Sequence, residues 1–168
     1  VMYLEKSRMP LRKQFQEEVF VHQSLIHKIC VMYRNTQEER EDLFQDIVFQ
    51  LWKSYPSFER KSKITTWMYK IALNTAIATF RKRKLETINI KEDMLTYEGQ
   101  ASSADIRRDK LVWAIKQMND ADRALIALYL DDLSYLEIGE ILGLTVSNVG
   151  VRINRIKEKL RKILKSEK

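Results

Sequence analysis

The sequence predicts an all-α protein: two small helical domains joined by a flexible linker, the C-terminal one a helix-turn-helix. Three observations carry this. Only four glycines and two prolines occur in 168 residues, too few for a β-rich chain that must turn about every 8–12 residues. Apolar residues recur at helical spacing, with Ser or Thr three residues ahead of Glu where the periods begin. The periodicity lapses once, between Leu85 and Ile106, where five acids and one base mix with Gly, Ser and Thr. The expected domains are therefore 1–84 and 107–168, with an acidic linker over 85–106.

The elements follow in order. Val1 to Pro10 shows no clear period. Leu11 to Arg34 reads as one helix, with Phe15, Val19, Leu25, Ile29 and Met32 near helical spacing. Thr36 and Glu39 form a capping box that opens a second helix, whose apolar face carries Leu43, Ile47, Phe49, Leu51 and Trp52. Pro56 ends it. The stretch KSKITTWMYKIALNTAIATFRKRK (Lys61 to Lys84) is a basic loop followed by a third helix, its inner face carrying Trp67, Ile71, Asn74 or Thr75, and Ala78. After the linker come LVWAIKQM (Leu111 to Met118) and ADRALIALYL (Ala121 to Leu130). Ser134 and Glu137 form another capping box. The short helix behind it turns Leu136, Ile138 or Gly139, and Ile141 or Leu142 inward, and Gly139 leaves room for another helix. Gly143 suits the left-handed conformation that closes a helix, and Thr145 or Ser147 caps the next one. Short helix, glycine turn and longer helix make a helix-turn-helix.

The formal net charge is +7 and the pI about 9.4, which points to a polyanionic partner, nucleic acid or an anionic membrane surface. Eight basic residues and one acid lie between Glu59 and Lys84, and eight basic and two acidic between Thr145 and Lys168. Two separated basic stretches suit two contacts on one long polyanion. On the last helix Val149, Ile153, Ile156 and Leu160 anchor the element. Ser147, Asn148, Val151, Arg152, Asn154 and Arg155 project outward from its first half, the half that enters the major groove in such units. Arg pairs with guanine O6 and N7, and Asn with adenine N6 and N7. Lys157, Lys159, Arg161 and Lys162 lie further along and suit phosphates.

Other classes are disfavoured. The single Cys30 excludes an internal disulfide and fits a reducing compartment. The longest apolar run, ALIALYL, falls far short of the ~20 residues of a membrane helix. No charged segment followed by an apolar core opens the chain, so a cytoplasmic location is expected. His22 and His27 are five apart, not the i, i+4 spacing that places two ligands on one helix face. Without a phosphate-cradling glycine loop or a cysteine cluster, no catalytic residue, metal, cofactor or small-molecule substrate is expected.

The stretch EDLFQDIVFQLWKSYPSF followed by TTWMYKIALNTAIATFRKRK resembles region 2 of the extracytoplasmic-function (ECF) sigma factors, the small two-domain promoter-recognition subunits of bacterial RNA polymerase. Asp42, Leu43, Gln45, Asp46, Phe49, Leu51 and Trp52 match one family pattern. Thr66, Trp67, Met68, Tyr69, Lys70, Ile71, Ala72 and Asn74 match a second. SYLEIGEILGLTVSNVGVRINRIKEKL resembles region 4 of the same family. Two unrelated motifs in the family's order span about Phe15 to Leu164.

The resemblance implies a division of labour. Asp42, Gln45, Asp46 and Phe49, with Trp52, would dock on core RNA polymerase. The loop from Phe58 to Thr66, with Trp67, Lys70 and Asn74, would hold the −10 element and its separated strand, Lys61, Lys63 and Lys70 supplying charge. The recognition helix, with Ser147, Asn148, Val151, Arg152, Asn154, Arg155 and Lys159, would read the −35 element of promoter DNA. An anti-sigma factor is an expected partner. Glu86, Glu92, Asp93, Glu98 and Asp105 suit a linker that threads through polymerase. Two departures stand out: Gly150 replaces a common basic residue, allowing close backbone approach to DNA, and FERKSKIT replaces the commoner Phe-Arg-Gly loop. The rival reading is a stand-alone helix-turn-helix repressor or activator, which both basic modules and the lack of an effector pocket disfavour.

Overall fold

The computed structural model describes residues 10–86 and 102–166, and the side chains of 83–86 are not described. The described elements are helical throughout. They are α1 (Leu11–Val19), α2 (Gln23–Tyr33), α3 (Gln37–Ser54), α4 (Ile64–Glu86), α5 (Ser103–Lys116), α6 (Asp120–Leu130), α7 (Tyr135–Leu142) and α8 (Val146–Ser166), with 3-10 turns at Phe20–His22 and Tyr55–Ser57. The chain divides into two compact units between Ile77 and Ala78, inside α4. No described helix is long and apolar enough to cross a membrane.

In the first unit, α2 packs on α3. The single helix expected from Leu11 to Arg34 is broken by the turn at Phe20–His22. Val19 to His22 are four successive residues of lower helix propensity, so a tighter turn there gives up little. Thr36 caps α3 as expected: its hydroxyl accepts from the Glu39 N–H at 3.2 Å, and the Glu39 carboxylate accepts from the Thr36 N–H at 3.3 Å. Leu43, Ile47 and Leu51 form the buried stripe of α3, four residues apart. Phe49 and Trp52, expected on that face, are 60% and 38% exposed. Phe49 sits two residues from Ile47 and from Leu51, which turns it to the opposite side of the helix.

The inward face expected for α4 is also corrected. Met68, Tyr69, Ala72, Leu73 and Ala76 are buried, whereas Asn74 and Ala78 are exposed and Trp67, Ile71 and Thr75 are partly buried. Cys30 is buried, and burial pushes its thiol up to about 11, the environment of an inert structural cysteine.

In the second unit, α8 packs against α5, α6 and α7. Helix α5 opens inside the stretch expected to be linker. Ser102 caps it, and Asp105, expected as a linker acid, completes a capping box. Glu92, Asp93 and Glu98 lie outside the described residues. Asn119 caps α6, its amide oxygen accepting from the Asp122 N–H at 2.8 Å. The buried Arg123 donates to the carbonyls of Lys116 and Met118 at 2.7 and 3.1 Å. It thereby satisfies acceptors that the end of α5 leaves open.

The helix-turn-helix forms as its signals require. The Ser134 N–H donates to the Glu137 carboxylate at 2.9 Å, and the Glu137 N–H to the Ser134 hydroxyl at 3.2 Å. Gly143 closes α7 at φ 69°, and Thr145 caps α8 by accepting from the Asn148 N–H at 3.2 Å. Two glycine expectations change. A Cβ on Gly139 would stand 2.5 Å from the Leu144 carbonyl oxygen, so the close neighbour is the turn's own backbone rather than another helix. A Cβ on Gly150 would meet the Tyr135 ring at 3.3 Å, so this position faces the start of α7.

Candidate nucleic-acid interface

Helix α8 seats itself by Val149, Ile153, Ile156 and Leu160, all buried. That stripe leaves Ser147, Asn148, Asn154 and Arg155 exposed and Val151 56% exposed. Hydroxyl, amide, methyl-bearing and guanidinium groups thus share the first half of a rigid helix. They are the groups that read base edges in a major groove.

Arg152 and Lys159, expected on the same surface, are engaged within the unit. Arg152 Nη2 lies 3.1 Å from Asp122 Oδ1, and Lys159 Nζ 3.0 Å from Asp122 Oδ2. Burial pushes the Asp122 carboxyl up, but hydrogen bonds from Lys159 and Arg152, with their charges, outweigh it and hold the group below its ordinary value. Lys157 turns to Tyr129, donating to its hydroxyl at 2.8 Å with the ammonium 4.3 Å from the ring centroid. Asp122 carried no signal in the sequence: it lies 30 residues from Arg152, outside any local pattern.

The first unit presents a second surface. Trp67, Lys70 and Asn74 fall on one side of α4 at i, i+3 and i+7, with Lys70 and Asn74 exposed. Phe58 stacks on Trp67 at 4.8 Å, covering one face of the indole. Lys63 is exposed, and Lys61 is exposed and paired with Glu59. Thr66 is corrected: it is 4% exposed, because it shares the side of α4 that buries Tyr69 and Leu73. So little exposed, it offers hardly any surface to a base.

The loop before α4 is tied down by contacts absent from the sequence reading. Arg60 adopts φ 57°, a left-handed conformation uncommon outside glycine. Its guanidinium donates to both carboxylate oxygens of Glu18, each at 3.1 Å. The Tyr55 hydroxyl donates to the same carboxylate at 2.7 Å. Burial and that acceptor push the Tyr55 phenol up to about 12, and the Glu18 hydrogen bond raises Arg60 further.

Between α1 and α3 an open groove of about 590 Å³ is lined by Phe15, Phe20, Phe44, Val48, Phe49 and Trp52, with Arg12, Gln16 and Gln45 among them. Phe15 meets Trp52 edge-on at 5.1 Å. Of the expected polymerase contacts, Gln45 and Phe49 line this groove, and Asp42 and Asp46 are exposed on α3.

Comparison with known proteins matches residues 20–86 to Sigma-70 region 2 and residues 108–160 to Sigma-70, region 4. The ECF RNA polymerase sigma factor SigW of Bacillus subtilis is 31% identical over 166 residues, 90% of this chain and 89% of the relative. The RNA polymerase sigma factor YlaC of the same organism is 30% identical, covering 78% of this chain and 82% of that one. In fold, the chain is similar to the sigma factor RpoE of Bartonella quintana, solved in complex with the anti-sigma factor NepR. The TM-score is 0.76 at 23% identity, over 93% of this chain and 99% of that one. CnrH, solved in complex with the cytosolic domain of CnrY, gives 0.71 at 18% identity, over 97% and 94%.

Proposed function

The chain belongs to the ECF sigma factors of bacterial RNA polymerase, and from that premise we propose how its residues divide the work. As a sigma factor it directs core polymerase to promoters and initiates transcription there. The polymerase makes the RNA.

Residues 1–84 act as the polymerase and −10 module, 85–106 as the linker and 107–168 as the −35 module. Gln45 and Phe49 dock on core polymerase through the apolar groove, with Asp42 and Asp46 supplying charge beside it. Lys61, Lys63, Lys70, Trp67 and Asn74 hold the separated −10 strand, with the Phe58–Trp67 stack as the aromatic platform. Ser147, Asn148, Val151, Asn154 and Arg155 read the −35 element. The assembly works in the cytoplasm, held in check by an anti-sigma factor, as RpoE is solved with the anti-sigma factor NepR.

The observation that carries this reading is the first half of α8: exposed base-reading groups on a helix fixed by four buried aliphatic residues. The test is run-off transcription by core polymerase with and without the purified chain, on fragments of the source genome. Discrete transcripts that need the chain are expected. Tight operator binding by the chain alone, with no chain-dependent transcript, would instead make it a stand-alone regulator.

A further inference from the structure

Asp122 is a buried acid that takes no part in the DNA and polymerase contacts proposed above. It is 8% exposed and lies in the first turn of α6. Its Oδ1 accepts from Arg152 Nη2 at 3.1 Å, and its Oδ2 from Lys159 Nζ at 3.0 Å and from Asn119 Nδ2 at 3.1 Å. Its own backbone N–H is held by the Asn119 side chain at 2.8 Å. The carboxylate is thus fixed by the cap of its own helix while it grips two cations of α8. Such charge-assisted bonds are the strong ones; the Arg152 pair, with both side chains mostly buried, is shielded from salt screening, whereas the Lys159 side chain stays 49% exposed and its bond is screened more.

Arg152 and Lys159 are seven residues apart, so they point within about 20° of each other on a helix of 3.6 residues per turn. They occupy the flank of α8 beside the buried stripe. Ser147, Val151 and Asn154 occupy the opposite, outer side, and Arg155 lies at its edge.

We propose that Asp122 is a positioning residue for promoter recognition. It holds Arg152 and Lys159 against α6, withholds both from DNA phosphates, and sets the rotation of α8 that turns Ser147, Asn148, Val151 and Arg155 toward base edges. The proposal rests on the reading of α8 as the −35 recognition helix. Phosphate contacts raise affinity for any sequence alike. Two cations withheld therefore lower binding to wrong sites without weakening base contacts.

The test measures binding of the full-length chain to a labelled random-sequence duplex of about 24 base pairs, by anisotropy, between about 50 and 200 mM salt. Each phosphate neutralised steepens the log–log salt dependence by about 0.9. Asp122→Asn releases both cations. Its slope should steepen by as much as about 1.8, so roughly tenfold more affinity is lost across that salt range than in the wild type. Adding Arg152→Gln and Lys159→Gln to Asp122→Asn should restore the wild-type slope. An unchanged slope in Asp122→Asn, or a steep one in the triple variant, overturns the proposal.

Lys159→Gln alone keeps the Arg152–Asp122 pair and bypasses any folding defect at Asp122. The wild-type slope is expected; a slope shallower by about 0.9 would put Lys159 on a phosphate and overturn the proposal. Arg155→Ala separates this failure from failure of the underlying reading. If it leaves binding untouched even on a duplex carrying the −35 sequence of a promoter found by the run-off test, α8 does not face DNA and both fall. If it weakens binding while Lys159→Gln also flattens the slope, the recognition reading stands and the role of Asp122 falls alone.

Discussion

Two of the three glycines of the helix-turn-helix, Gly139 and Gly150, should respond in opposite ways to one added methyl group. In Gly139→Ala the new Cβ would stand 2.5 Å from the Leu144 carbonyl oxygen. That oxygen belongs to the turn itself, which is tied back by the Leu144 N–H donating to the Gly139 carbonyl at 3.0 Å. Backbone so fixed cannot step aside cheaply. Overpacking costs about 1–3 kcal/mol, the upper half of that range where fixed backbone is met at such a distance, and alanine returns about 1 kcal/mol of helix propensity. The net loss is about 1–2 kcal/mol, a factor of about 5–30 in the local opening equilibrium. In Gly150→Ala the Cβ meets only the edge of the Tyr135 ring, at 3.3 Å. A ring on a partly exposed side chain can give by a few tenths of an ångström, so the propensity gain dominates and the helix holds or tightens. Hydrogen exchange on peptides from α7 and α8 in the full-length chain reads both. Faster exchange in Gly139→Ala and equal or slower exchange in Gly150→Ala are expected. Unchanged protection in Gly139→Ala would refute the close approach of turn and helix.

Three further outcomes are expected. Arg155→Ala should cost about 1–3 kcal/mol at the −35 element and relax discrimination there; titration against −35 variants checks it, and an equal loss on every sequence would make Arg155 a phosphate contact. Asp46→Arg should weaken association with core polymerase while leaving helicity intact, since Asp46 is exposed on α3; co-purification with core enzyme and circular dichroism read the two halves. Asp122, whose carboxyl is held low, should stabilise the second unit above the unfolded value near about 4. That stability is lost as pH falls through the lower folded value. Acid titration of the wild type against Asp122→Asn should show the difference vanish at the acid end.

Features confined to a few consecutive residues were legible. Thr36 with Glu39, Ser134 with Glu137 and the left-handed Gly143 all act within one helical turn, so residue type and spacing suffice. The face of α4 was not legible, for a physical reason. Its sequence ITTWMYKIALNTAIATF carries apolar residues on every side, so periodicity does not choose a phase. Small side chains at Ala72 and Ala76 mark the buried side, together with Met68 and Leu73. The face through Trp67, Ile71 and Ala78 is a neighbouring phase that periodicity alone supports as well. The Arg60–Glu18 and Arg152–Asp122 pairs span 42 and 30 residues. Only the folded chain brings such partners together, and no composition rule reports them.

That last distinction changes what a basic helix means. Between Thr145 and Lys168 the sequence places eight basic residues, and taken as a charge total they would form a broad phosphate-binding surface. Among the described residues, three of them have internal partners: Arg152 and Lys159 bind Asp122, and Lys157 binds Tyr129. These pairs lie on the flanks of α8, where its side chains reach α6, while Arg155 remains exposed beside the polar first turn. On the proposed reading the helix separates cations that hold it in place from groups that meet DNA. Affinity for any duplex scales with the phosphates neutralised, whereas discrimination depends on how accurately a few groups meet base edges. A helix braced by its flanking charges favours the second at the expense of the first, which suits a subunit that must reject most of the DNA it meets.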